Sequence, residues 1–99
     1  MQYIVTGLDG RDQDAAQRRL DARQAHLASA EAMKANGSLL FASAILSEQE
    51  AMIGSIMIVD FADRAALDAW LDSEPYIKGK VWQEVKVEPC RVAPMFAKH

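Results

Sequence analysis

The sequence predicts an α+β domain with the order β-α-β-β-α-β, in which a four-stranded antiparallel sheet carries two helices on one face. Three observations carry this prediction. Short β-rich runs at residues 2–8, 39–46, 52–61 and 82–89 are separated by turn signals. Residues 14–36 and a shorter stretch from Asp63 place apolar residues at helical spacing. The chain has 99 residues, enough to bury one two-layer core and too few for two, so residues 1–99 are expected to form a single domain.

The opening run Tyr3-Ile-Val-Thr6 suits a pleated, half-buried surface. It lacks a basic leader and a small-residue cleavage site, so it reads as a first strand and not as a signal peptide. Asp9, Gly10 and Asp12 mark a turn. Asp12 or Asp14 is placed to cap the first helix, and Asn36-Gly37 to stop it, because glycine accepts the left-handed conformation at a helix end. Leu39 to Leu46 form the second strand, followed by a polar connection, Ser47 to Glu50. Met52 to Phe61 is apolar at both alternating positions, as in a central strand covered on both sides.

Asp63 is the expected cap of the second helix, in which Leu67, Trp70 and Leu71 lie three and four apart. That helix ends at Ser73-Glu-Pro-Tyr76, since proline disfavours helix in the residue before it. Between Trp82 and Pro89, Val85 and Val87 alternate with Glu84, Lys86 and Glu88, an edge-strand pattern. The tail from Val92 to His99 keeps Pro94, Met95 and Phe96 available for packing. This order is the split-βαβ, ferredoxin-like plan. Its helices cover one sheet face only, so a central strand apolar on both faces needs a second cover. Another copy of the chain, packed sheet face to sheet face, supplies one, and a homodimer is expected.

Composition narrows the function classes. Hydrophobic residues make up 51% and charged residues 25%, the balance of a folded globular domain. A net charge of -3 offers no basic field to a nucleic acid backbone. No apolar run is long enough to span a bilayer, so neither nucleic acid nor membrane is expected as a partner. The single cysteine, Cys90, excludes an internal disulfide and a cysteine-based zinc site, and its simplest role is that of a small, half-buried hydrophobe. A cytoplasmic location is the expectation.

The chemistry concentrates on the first helix. At about 100° per residue, Ala16, Leu20, Leu27 and Ala30 cluster on one side, and Arg19, Arg23 and His26 fall inside or beside that sector. A buried, unpaired charge is too costly to be incidental, so these groups either snorkel to the rim or meet carboxylates in a polar hollow. Histidine exchanges protons near neutral pH, and a neighbouring carboxylate fixes its tautomer. Asp9, Asp72 and Glu74 are the candidate carboxylates, and Arg23, one turn before His26, is placed to hold an anionic or enolic oxygen. Gly54-Ser55 in the third strand suggests a close backbone approach. There is no nucleophile elbow, phosphate loop or dinucleotide fingerprint. With His26 and His99 the only histidines, no metal site and no cofactor are expected.

Several stretches together resemble the YciI-like (YCII-related) family. They are Tyr3-Ile-Val with Asp9 after the strand, and Arg19 to Leu27, which is similar to the family's R-L-x-x-R-x-x-H-L. Gly37-Ser-Leu-Leu40, Gly54-Ser55, Ala69-Trp70, Ser73-Glu-Pro-Tyr76 and Val85-Lys-Val-Glu-Pro89 follow in family order. The resemblance implies a dimeric α/β-barrel of ferredoxin-like protomers and a site built on a histidine–aspartate pair. His26 carries over directly. Glu74 stands where the family has the Asp of Asp-Pro-Tyr, one methylene longer, and Ser43-Ala44 replaces the family's usual Gly-Pro. A few family members are linked to elimination on chlorinated ring compounds.

The leading expectation is a cofactor-independent, lyase- or isomerase-like enzyme that transfers protons on a small oxygenated, cyclic molecule. His26 would be the base, Glu74 or Asp9 its orienting partner, and Arg23, Tyr76 and Ser55 the substrate contacts. The alternative is a dimeric module that binds a small ligand without turning it over.

Overall fold

The computed structural model describes residues 1–96. Its strands are β1 (Gln2–Asp9), β2 (Leu39–Leu46), β3 (Met52–Asp60) and β4 (Trp82–Cys90), and they form one antiparallel sheet in the order β2-β3-β1-β4. The expected sheet, with the third strand central and the last at an edge, is therefore present. Helices α1 (Ala15–Asn36) and α2 (Arg64–Ser73) follow β1 and β3, and one further turn of helix, α3 (Pro75–Lys78), precedes β4.

Local chemistry sets the helix ends. Gly37 sits at φ 88°, in the left-handed region, and its N–H donates to the carbonyl of Lys34, closing α1. At the other end Asp14 occupies the cap position without a side-chain cap bond, while Asp12 accepts from the Asp14 N–H at 3.3 Å and clamps Arg18. The Asp63 carboxylate caps α2 by accepting from the Ala66 N–H at 2.8 Å. The Ser73-Glu-Pro-Tyr76 stretch ends α2 as expected and then starts α3. Proline is favourable at a first helical position because its missing N–H would have no partner there, and Glu74 supplies the cap.

The core lies between the helices and one sheet face. Tyr3, Val5, Met57 and Val59 project from the sheet onto Met33 of α1, Leu67 of α2 and Tyr76 of α3. Antiparallel partners share a face, so the pairs Ile4–Ile58, Thr6–Ile56 and Phe41–Ile58 line the opposite face. There Phe41 is 56% exposed and the isoleucines are half-buried, leaving an apolar sheet face without a helix over it. The 3-10 turn Pro94–Phe96 leaves Met95 and Phe96 largely uncovered by the described residues of the protomer. The tail beyond it, including His99, lies outside the described residues.

The rotation of α1 corrects one expectation. Its buried positions are Ala15, Arg19, His26 and Met33, with Ala22 and Ala30 partly buried, whereas Leu20 is 65% and Leu27 45% exposed. At about 100° per residue the buried stripe is centred between Ala15 and His26, roughly 110–130° from the two leucines. Two polar side chains therefore take the inward positions, and the leucines assigned to that face point away from the core.

Candidate active site

The inward stripe of α1 delivers two charged or titratable groups to the helix-covered face of the sheet. The alanines beside them on the stripe leave room for those long side chains. Each group meets a carboxylate. His26 Nδ1 is hydrogen-bonded to Glu74 Oε1, and Glu74 itself is 1% exposed. The same Oε1 accepts from the Tyr76 N–H at 3.3 Å as the cap of α3, so the helix turn that ends at Lys78 also fixes the carboxylate. Glu74 Oε2 is buried with no hydrogen-bond partner among the described residues. His26 Nε2 makes no hydrogen bond among the described residues. The imidazole stacks on the Tyr76 ring, with centroids 3.9 Å apart and planes 8° from parallel, and the Trp82 ring meets it edge-on at 6.1 Å.

Arg19 meets Asp9. Its Nε and Nη2 donate to the two carboxylate oxygens at 2.7 and 3.0 Å, a bidentate clamp between side chains that are 8% and 5% exposed. Nη2 also donates to Ser55 Oγ at 3.0 Å, and Nη1 approaches the Tyr76 hydroxyl at 3.5 Å. The guanidinium lies over the Tyr76 ring, 4.8 Å from its centroid. Burial draws the Arg19 guanidinium down, but the bond to Asp9 and its charge more than offset this and leave it raised. Burial also pushes the Tyr76 phenol above its ordinary value of 10.0, against the pull of Arg19 and Arg23.

Trp82 reaches this cluster through an irregularity. The β1–β4 register shifts between Leu8 and Asp9, so Asp9 faces Trp82 where Leu8 faces Glu84. The bulge turns Trp82 onto the helix-covered face, although simple alternation puts it on the same side as Glu84. There its Nε1–H donates to Ser55 Oγ at 3.2 Å. Gly7 makes the space: a Cβ there would lie 2.3 Å from the Trp82 ring.

Among the residues singled out in the sequence, His26, Glu74, Tyr76, Ser55 and Asp9 join one polar cluster, but two assignments change. Asp9 is engaged by Arg19 and is not the partner of His26. Arg23 is exposed, because it lies at the rim of the buried stripe, and Arg19 takes the inward position expected for it. Asp72 is exposed as well. Trp82 was not anticipated, because a bulge leaves no mark in an alternating sequence. The small Gly7 in an apolar strand is its one sequence trace. Two open surface clefts, one walled by Gly10, Arg11, Asp12, Arg18, Lys80 and Gln83 and the other lying between α1 and α3, do not include His26, Glu74 or Ser55 in their walls. Among the described residues no three His, Cys, Asp or Glu side chains converge as metal ligands. No described helix is long and apolar enough to cross a membrane.

Comparison with known proteins assigns the chain to a family and agrees with its fold. The family model for the YCII-related domain matches residues 1–91. The proteins called YciI in Escherichia coli and Shigella flexneri are each 30% identical over 97 residues, covering 92% of this chain and 97% of theirs. Among solved structures, 5-chloro-2-hydroxyhydroquinone dehydrochlorinase from Burkholderia phenoliruptrix, in complex with 2,5-dihydroxybenzoquinone, superposes with a TM-score of 0.80 at 21% identity, covering 96% of this chain and 98% of that one. A dimeric ferredoxin-like protein of unknown function from Jannaschia has the same fold at a TM-score of 0.56 and 16% identity, covering 92% of this chain and 98% of that one. With a family match over residues 1–91 and relatives aligned over nearly their whole length, this chain belongs to the YCII-related domain family.

Proposed function

We propose that the protein is a lyase- or isomerase-like enzyme that moves a proton on a small, oxygenated ring, with His26 as the base. The observation that carries this reading is the buried His26–Glu74 pair, in which Nδ1 is committed to the carboxylate and Nε2 is left to act. Glu74 holds the tautomer with the lone pair on Nε2 and stabilises the imidazolium once Nε2 has taken a proton. Tyr76 fixes the ring plane by stacking. In the step itself Nε2 removes a proton from a carbon next to a carbonyl, and the C–H pair becomes a C=C bond as the carbonyl pair moves to oxygen. Collapse of that enolate expels a leaving group with its bonding pair from the adjacent carbon, which is elimination. Alternatively, the imidazolium returns the proton to a different carbon, which is isomerisation. The dehydrochlorinase neighbour and its dihydroxybenzoquinone ligand support a ring of that class.

The same reading includes a homodimer. The uncovered sheet face, with Ile4, Ile56, Ile58 and Phe41, fits a second copy of itself, and sedimentation equilibrium should give twice the protomer mass of 10.9 kDa.

The direct test is exchange of carbon-bound hydrogen in D2O, followed by NMR over a panel of cyclic ketones and hydroxylated quinones. Wild type should accelerate exchange for at least one of them, and His26→Ala should lose about 100- to 10,000-fold of that rate. Equal exchange by His26→Ala overturns the catalytic assignment. Binding without exchange by the wild type replaces it with a ligand-binding module.

A further inference from the structure

Ser55 stands where the polar cluster meets uncovered sheet. A hydroxyl has two acceptor positions and one proton to donate. Both acceptor positions of Ser55 Oγ are taken, by Arg19 Nη2 at 3.0 Å and Trp82 Nε1 at 3.2 Å. Its own proton goes to no acceptor among the described residues, although the residue is only 5% exposed. A nearly buried donor without a partner is costly. Two donors to one oxygen also polarise its O–H and make it a stronger donor.

The space beside it is defined by strand pairing. Ala44 is the partner of Ser55 and Ala42 the partner of Met57, so both alanines lie on the helix-covered side of the sheet. Both are nevertheless exposed, because no helix reaches over this part of β2. Two methyl groups thus form an apolar shelf that ends at the Ser55 hydroxyl. Trp82 links this shelf to the base, bonding Ser55 at one end and meeting the His26 ring with its edge.

We propose that Ser55 donates its free hydrogen bond to a carbonyl or enolate oxygen of a planar ring lying on the Ala42–Ala44 shelf. This rests on the proton-transfer reading and names its substrate class. Ser55 keeps its proton throughout. Its bond to the oxygen strengthens as the carbonyl pair moves there and the oxygen becomes negative. A ligand oxygen that only donates finds no acceptor on Ser55, so the site selects ring oxygens that carry negative charge or a lone pair facing Oγ.

The test uses 4-substituted phenolates of graded basicity, with toluene as the ring without an oxygen, and measures Kd by absorbance or calorimetry. Wild type should bind the more basic phenolates more tightly. Ser55→Ala should bind phenolates about 10- to 100-fold more weakly, flatten the dependence on basicity and leave toluene unchanged. Ser55→Thr, which keeps the hydroxyl, should restore the dependence. Should Ser55→Ala not fold, Ser55→Cys, a weak donor of similar size, should flatten the dependence in the same way. Equal binding of phenolates by wild type and Ser55→Ala, or a uniform loss for every ligand including toluene, overturns the inference and leaves the His26 reading standing. A wild type that binds toluene but not phenolates does the same. If wild type binds neither, the proton-transfer reading and the Ser55 assignment fall together.

Discussion

Replacing His26 by phenylalanine should destabilise the protein severely, and replacing Glu74 by methionine in the same chain should restore most of that loss. His26→Phe keeps an aromatic ring against Tyr76 but leaves a carboxylate that is 1% exposed with only the Tyr76 N–H as partner. Removing one member of a buried pair costs about 3–5 kcal/mol. Glu74→Met leaves the imidazole Nδ1 and the Tyr76 N–H unpaired. That amounts to about 2–4 kcal/mol from the lost cap and one unsatisfied donor. The double variant strands no charge. It retains the ring stack and a side chain of about the right volume, and loses chiefly the cap of α3, about 1–2 kcal/mol. It should therefore be about 3 kcal/mol or more better than the sum of the single changes. Urea unfolding followed by tryptophan fluorescence measures this, because Trp82 adjoins the pair. All variants must be compared at one protein concentration, given the proposed dimer. Additivity within about 0.5 kcal/mol would refute the argument, because side chains that do not share a buried bond behave independently.

Gly7→Ala should cost about 1–3 kcal/mol or more and perturb tryptophan emission, because the new methyl must displace the Trp82 ring from 2.3 Å; an unchanged melting temperature and spectrum would contradict the close approach. Arg23→Ala should change stability by no more than about 0.5 kcal/mol, whereas Arg19→Met should cost about 3–5 kcal/mol by leaving Asp9 buried without its cation; thermal melts in which the two behave alike would reject the placement of Arg19 inside and Arg23 outside. The Tyr76 phenol should ionise above 10.0, read as the ultraviolet difference between wild type and Tyr76→Phe. Because its folded value is raised, the folded chain keeps a proton that the unfolded chain releases. The Tyr76 contribution to stability is thus fully present below about 10 and is lost as pH rises through the folded value. A phenol titrating at or below its ordinary value would remove that dependence.

The pattern of apolar residues was enough to order the elements. The near-continuous apolar run from Met52 to Phe61, the Asn36-Gly37 stop and the Asp63 cap are local signals, and each acts within a few residues of where it is written. That His26 needs a carboxylate was legible for a different reason: a titratable group on the buried face of a helix is expensive unless it is paired. Position alone could not choose among Asp9, Asp72 and Glu74. That choice depends on where α3 begins, and α3 begins where Pro75 can start a helix and Glu74 can cap it.

What the sequence by itself determined is the element order, the single sheet with helices on one face, and the presence of charged groups on the inner side of the first helix, because periodicity and capping are properties of neighbouring residues. Tertiary structure alone decided which arginine faces inward, since a rotation of α1 by a fraction of a turn exchanges Arg23 for Arg19 and exposes Leu20 and Leu27. It alone brought Trp82 to Ser55, through a bulge that shifts one register step and reverses the side a residue faces. Both decisions rest on contacts between residues far apart in the chain, whose energies settle rotation and register that local pattern leaves free.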